Sequence, residues 1–148
     1  DFCLSRGLGD VYKRQQFDKA DVTAKLLQRF PNLKLLGEIT NIRPVKQSDY
    51  GEFSRLTNIE LLGSTGKRDY LRAEDLRLTI DPTGQKIKSA ICKIIKLGDK
   101  WTFLSGRGWG HGVGMCQCGA EGMARDGMNA EQILRHYYPG SKISMIGY

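Results

Sequence analysis

The chain has 148 residues, 26% of them charged, and its 23 Lys and Arg against 16 Asp and Glu give a formal charge of +7. A mean hydropathy of −0.41 and the lack of any run near the roughly twenty apolar residues of a membrane span exclude a spanning helix in this stretch. Outside the first fifteen residues there are three cysteines, Cys92, Cys116 and Cys118; an odd number implies no complete disulfide framework.

Residues 1–15 stand apart. Asp10-Val11-Tyr12-Lys13-Arg14-Gln15 resembles the translation of a transposon sequencing adapter, and Cys3 to Gly9 is the stretch that travels with it. They are set aside from fold reasoning as a non-native leader. Arg6, Lys13 and Arg14 against Asp1 and Asp10 account for +1 of the charge, leaving +6 on residues 16–148. That length suffices for one domain with its own core.

Residues 18–30, apolar at 22, 26, 27 and 30, read as a helix stopped by Pro31. Residues 35–45 and 53–62 read as paired strands across a polar turn at 47–51. Gly63-Ser-Thr-Gly66 is a second turn, followed by a strand at 67–72 and a short helix from Ala73. Strands are predicted at 87–96 and 100–106, joined by Gly98-Asp99. Asn129 with Gln132 three residues on reads as the N-cap of a helix ending before Pro139-Gly140, and a last strand is expected at 142–146. Local strand pairs flanked by short helices argue an α+β fold with mixed, mostly antiparallel strands.

A basic chain invites a nucleic-acid reading, since positive charge attracts any polyanion. Lys86, Lys88, Lys93, Lys96 and Lys100, however, alternate with apolar positions and read as the wet face of a strand pair. There is no recognised nucleic-acid motif and no basic stripe interleaved with aromatics, so nucleic acid is not an expected partner.

The most informative stretch is residues 106–120, Gly-Arg-Gly-Trp-Gly-His-Gly-Val-Gly-Met-Cys-Gln-Cys-Gly-Ala. Glycine at every second position from 106 to 114 would leave one face of an extended strand bare. The other face would carry Arg107, Trp109, His111, Val113 and Met115. A bare face admits close approach of a flat or polymeric ligand; the competing reading is close contact between strand and helix. Even spacing misses the i, i+2, i+5 glycines of a dinucleotide fingerprint, and neither this run nor Gly66-Lys67-Arg68 closes with the Lys-Ser/Thr of a P-loop. Cys116 and Cys118, with His111 and His136 in the chain, resemble a zinc set, but one intervening residue is too few for structural zinc spacing. At a helix start their side chains diverge. Cys92, in an apolar alternation, reads as a buried small hydrophobe.

The run at 106–120, continued by Glu121-Gly122-Met123-Ala124 and by residues 131–140 (Glu-Gln-Ile-Leu-Arg-His-Tyr-Tyr-Pro-Gly), resembles the C-terminal signature of the stage II sporulation protein D family (SpoIID/LytB). The likeness covers residues 16–148 and is most specific over 106–140, which implies the C-terminal part of a larger SpoIID/LytB-like domain. The family pattern carries a small residue near 116 and an aromatic near 118; Cys118 departs from it. The resemblance implies peptidoglycan as substrate, an exported or membrane-anchored parent protein in the cell envelope, and one of two functions. One is a lytic transglycosylase of cell-wall remodelling or sporulation septum thinning. The other is a non-catalytic peptidoglycan-binding module that enhances an amidase and works with other cell-wall hydrolases.

In that family the catalytic glutamate and a His/Cys zinc site belong to N-terminal motifs with no counterpart in residues 16–148. No catalytic residue, metal ligand or cofactor is therefore expected here, and zinc is expected only in that missing half. The implied reaction has a carboxylic acid of raised pKa protonate the glycosidic oxygen while the muramic 6-hydroxyl closes a 1,6-anhydro ring. Among the acids present, Glu74, Asp75, Glu121 and Glu131 read as helix-start charges. The candidate substrate-binding residues are Arg107, for a carboxylate, Trp109, to stack on a sugar ring, Gln117, for an N-acetyl group or glycine-rich backbone, and His111, Tyr137 and Tyr138. His111 reads equally as orienting substrate or as a structural histidine; the two tyrosines read as core plus rim.

Overall fold

The strands and helices sort into two units, Asp10–His111 and Gly112–Tyr148, and the computed structural model describes residues 12–50, 53–112 and 114–144. In the first unit, β1 (Tyr12–Asp18) runs into α1 (Lys19–Arg29). Val22 and Leu26, one turn apart, are both fully buried. Pro31 ends the helix and opens a 3-10 turn (Pro31–Leu36) that sets Leu33 and Leu36 in the core. The sequence reading did not anticipate that turn.

Strands β2 (Ile39–Tyr50), β3 (Phe53–Gly63) and β4 (Arg68–Arg72) form an antiparallel sheet in that order. Gly63 is glycine for lack of room, since a Cβ there would stand 2.0 Å from the Leu36 carbonyl oxygen. Helix α2 (Ala73–Ile80) follows β4 directly. Strands β5 (Ile91–Leu97) and β6 (Lys100–Arg107) then complete a second antiparallel sheet, ordered β1-β6-β5. Leu56, Ile59 and Leu61 of β3, Leu76 and Ile80 of α2 and Trp101 and Phe103 of β6 join α1 in one buried cluster.

In the second unit, α3 (Gln117–Arg125) and α4 (Ala130–Tyr137) bury Met123 and Ile133. The Asn129 side chain accepts the Gln132 amide and the Gln132 side chain accepts the Asn129 amide. This is the capping box that the sequence predicts.

The α+β expectation holds, as do the first helix, the 53–62 strand, the Gly63–Gly66 turn, the helix from Ala73 and the Gly98-Asp99 hairpin. Four details differ. The strand expected from 35 begins at Ile39, because Leu35 and Leu36 close the 3-10 turn. β2 runs on to Tyr50, so 47–50 of the expected turn are strand, and Gly51 lies outside the described residues. β5 begins at Ile91 and not at 87, because the Asp81 carboxylate captures the amides of Lys86 and Ile87 and holds that segment as a loop. Residues 142–144 have no regular structure; the rest of the expected last strand lies outside the described residues. Of the leader set aside above, 1–11 are likewise outside, while Tyr12 to Gln15 make the first half of β1, paired with β6.

Candidate functional site

The glycine run does not continue β6 as an extended strand. Cys92 of β5 faces two β6 residues, Ser105 and Gly106, because the pairing shifts by one between Ile91↔Arg107 and Lys93↔Leu104. Ser105 takes a positive φ of 52° there, a bulge that redirects the strand end. Beyond Arg107, glycines 108, 110, 112 and 114 have φ of 71°, 93°, 57° and 94°, the left-handed region that a Cβ disfavours. The two-faced strand of the sequence reading is thereby overturned. The glycines recur because alternate residues need positive φ; at Gly110 a Cβ would meet nothing within 4 Å, so backbone conformation and not crowding selects glycine. Val113 lies outside the described residues.

In the first unit the run is fastened to the loop before β5. The Gly110 amide donates to the Lys88 carbonyl at 2.8 Å, and the Ser89 hydroxyl donates to the Arg107 carbonyl while accepting the Ile91 amide. Trp109 is 60% exposed, against 1% for Trp101, and the Lys88 ammonium stands 5.1 Å from its ring centroid. A cation over an indole face is held electrostatically by the ring quadrupole. Arg107, half-buried, and His111, exposed, flank this pair in sequence.

The loop that carries Lys88 is itself braced. Arg77, 6% exposed, grips Glu74 with Nε and Nη2 and donates from Nη1 to the carbonyls of Ile87 and Lys88 at 2.8 and 3.4 Å. The Asp81 carboxylate takes the Lys86 and Ile87 amides at 2.7 and 2.8 Å and the Thr83 hydroxyl at 2.8 Å. Burial opposes its charge, but the Ile87 amide, the Thr83 hydroxyl and the Lys86 amide and ammonium outweigh that and hold it below the usual carboxylate range. The sequence reading missed Lys88, Ser89, Arg77 and Asp81 as parts of the site. The turn signal Asp81-Pro82-Thr83-Gly84, which marks a loop, was the clue within reach.

The other three candidates belong to the second unit. Gln117 opens α3 and is exposed. The Tyr138 hydroxyl accepts the Met115 amide at 3.1 Å and would stand 3.1 Å from a Cβ at Gly114, so it braces the end of the glycine run. Tyr137 is half-buried with its ring edge-on to His136 at 5.0 Å. Cys116 is the N-cap of α3, its Sγ accepting the Gly119 amide at 3.4 Å, and Cys118, the second residue of the helix, is exposed.

The four acids singled out in the sequence are engaged elsewhere. Glu121 pairs with Arg125, Glu131 with Arg135, Glu74 with Arg77 and Asp75 with Arg72. Glu60 lies against Arg43, Arg68 and Tyr70; burial raises its pKa, yet these partners prevail and lower it. That is the opposite of what a general acid requires. Among the described residues no group of three or more His, Cys, Asp or Glu is placed to hold a metal ion.

Stage II sporulation protein D of Bacillus subtilis is 30% identical to the chain over 128 residues, 86% of this chain and 32% of that protein. The amidase enhancer of Bacillus subtilis is 40% identical over 70 residues, 47% of this chain and 10% of its own length. An uncharacterized protein of Brachyspira hyodysenteriae is 38% identical over 73 residues, 49% of this chain and 19% of its own. The chain thus spans under a third of the length of each of these relatives. No family model matches it.

Proposed function

Starting from the kinship of the chain with the SpoIID/LytB family, we propose that it carries part of the substrate groove of a peptidoglycan lytic transglycosylase acting outside the cytoplasm, in the cell envelope. The observation that supports this is the exposed Trp109 under the Lys88 ammonium. An indole face suits the apolar face of a sugar ring, and an adjacent cation suits the acidic groups of a glycan with peptide stems. Arg107 and His111 extend the same contact surface in sequence, and Gln117, Tyr137 and Tyr138 are the contacts assigned to the second unit. The chain binds and orients glycan in this reading; the acid step lies with a carboxyl group other than the ion-paired ones described above.

The second reading, a binding module that stimulates a cell-wall amidase, is favoured by the relative named for that activity. One experiment separates the two. The full chain is incubated with purified sacculi, pelleted, and the supernatant analysed by mass for anhydro-muropeptides; a cell-wall amidase is then added with and without the chain. Pelleting with no amidase stimulation supports the groove reading, stimulation supports the enhancer reading, and absence from the pellet overturns both. The Trp109→Ala variant should bind sacculi about tenfold more weakly, as for loss of a central aromatic anchor. Replacing any single lysine should cost less, and equal affinities would remove Trp109 from the groove.

A further inference from the structure

We propose that Arg77 is the positioning residue of the Trp109 platform, acting from α2 through the carbonyls of Ile87 and Lys88. The geometry stands by itself; its consequence for binding rests on the glycan reading above. One acceptor, the Lys88 carbonyl, takes both the Arg77 guanidinium, at 3.4 Å, and the Gly110 amide, at 2.8 Å. The side chain of the same residue reaches over the Trp109 ring. The next residue, Ser89, binds the carbonyl of Arg107. A shift of the Arg77 fork therefore moves the Gly110 amide tie, the Ser89 hydroxyl tie and the cation on the indole.

Arginine is the residue that suits this task. Its planar fork offers five donors in fixed directions, and here they reach the Glu74 carboxylate and two successive carbonyls at once. A Cβ at Gly84 would come within 2.9 Å of Nη1, so the loop is shaped around the guanidinium. A buried charge needs partners, but if stability were its only role, apolar side chains of similar volume would serve as well or better. Its two carbonyl partners lie instead in the segment joined to Trp109.

The test uses the full chain with Arg77→Met and Arg77→Lys, each paired with a Trp109→Phe counterpart so that difference spectra isolate Trp109 from buried Trp101. With Arg77→Met, Trp109 emission should shift to the red and its iodide quenching should change, while sacculus affinity falls about tenfold, the order of one lost anchor. In a Trp109→Ala background the same substitution should cost less than about twofold, since residues acting through one element are non-additive. Unchanged Trp109 spectra, or a full loss of affinity persisting without Trp109, overturns the proposal. Should Arg77→Met fail to fold, Arg77→Lys keeps the charge but not the fork and is judged by the same readouts. The fluorescence needs no glycan, so a wild-type chain that ignores sacculi refutes the groove reading and leaves the positioning role to be decided by the spectra.

Discussion

The Asp10–His111 unit and the Gly112–Tyr148 unit are held by different physics. In the first, apolar side chains from α1, the 3-10 turn, both sheets and α2 merge into one buried cluster. In the second, two short helices bury Met123 and Ile133 and rely on their ends: a thiol cap at Cys116, a capping box at Asn129, and a tyrosine hydroxyl on the Met115 amide. Where apolar area is large, burial dominates stability; where it is small, orphan helix amides weigh as much as any side chain. Losses in the first unit should track volume removed, and losses in the second should track hydrogen bonds removed.

The largest effect should come from Phe103→Ala. Phe103 is fully buried, with Phe17 edge-on at 5.7 Å, and its truncation should cost about 3–5 kcal/mol, read as a lower urea midpoint at unchanged slope. A loss under about 1 kcal/mol would mean that the cluster is not a close-fitting core. Asn129→Ala should cost about 1 kcal/mol and act locally, speeding amide exchange in α4 while β6 amides keep their protection. Equal acceleration in both would abolish the contrast between the units.

The smallest effect is a pH dependence confined to the first unit. Because the folded Asp81 carboxyl sits below its ordinary value of 3.8, its contribution is complete above that value and is lost only as pH falls through the lower folded one. Trp109 emission should therefore stay flat from pH 7 to about 4 and change only below. The Asp81→Asn variant should lack that acid limb; a transition near pH 6 would point to another group.

The parts of the fold set by local rules were legible in the sequence. The i, i+4 pair Val22 and Leu26, the Gly98-Asp99 hairpin and the Asn129 box each follow from spacing within one turn of chain. What was not legible depends on distant partners. The period of two in the glycine run was visible, but an extended strand and a ribbon of alternating φ share that period. Only the pairing of 88–89 with 107–110 separates them. Lys88 was read as wet surface for the same reason: its indole partner lies beyond an intervening hairpin. Glu74, Asp75 and Glu131 do open their helices, but Glu121 lies beyond the first turn of α3 and is held by Arg125 four residues on, not by the helix start.

The bulge at Ser105 makes strand length a constraint of its own. Neighbouring positions on a strand face opposite ways, so a single deletion within β6 would turn over the strand side chains that follow it. Substitutions at exposed β6 positions such as Lys100 would be absorbed one at a time, but insertions and deletions there would not. Variation in this stretch should therefore appear as exchange of letters at a fixed number of positions.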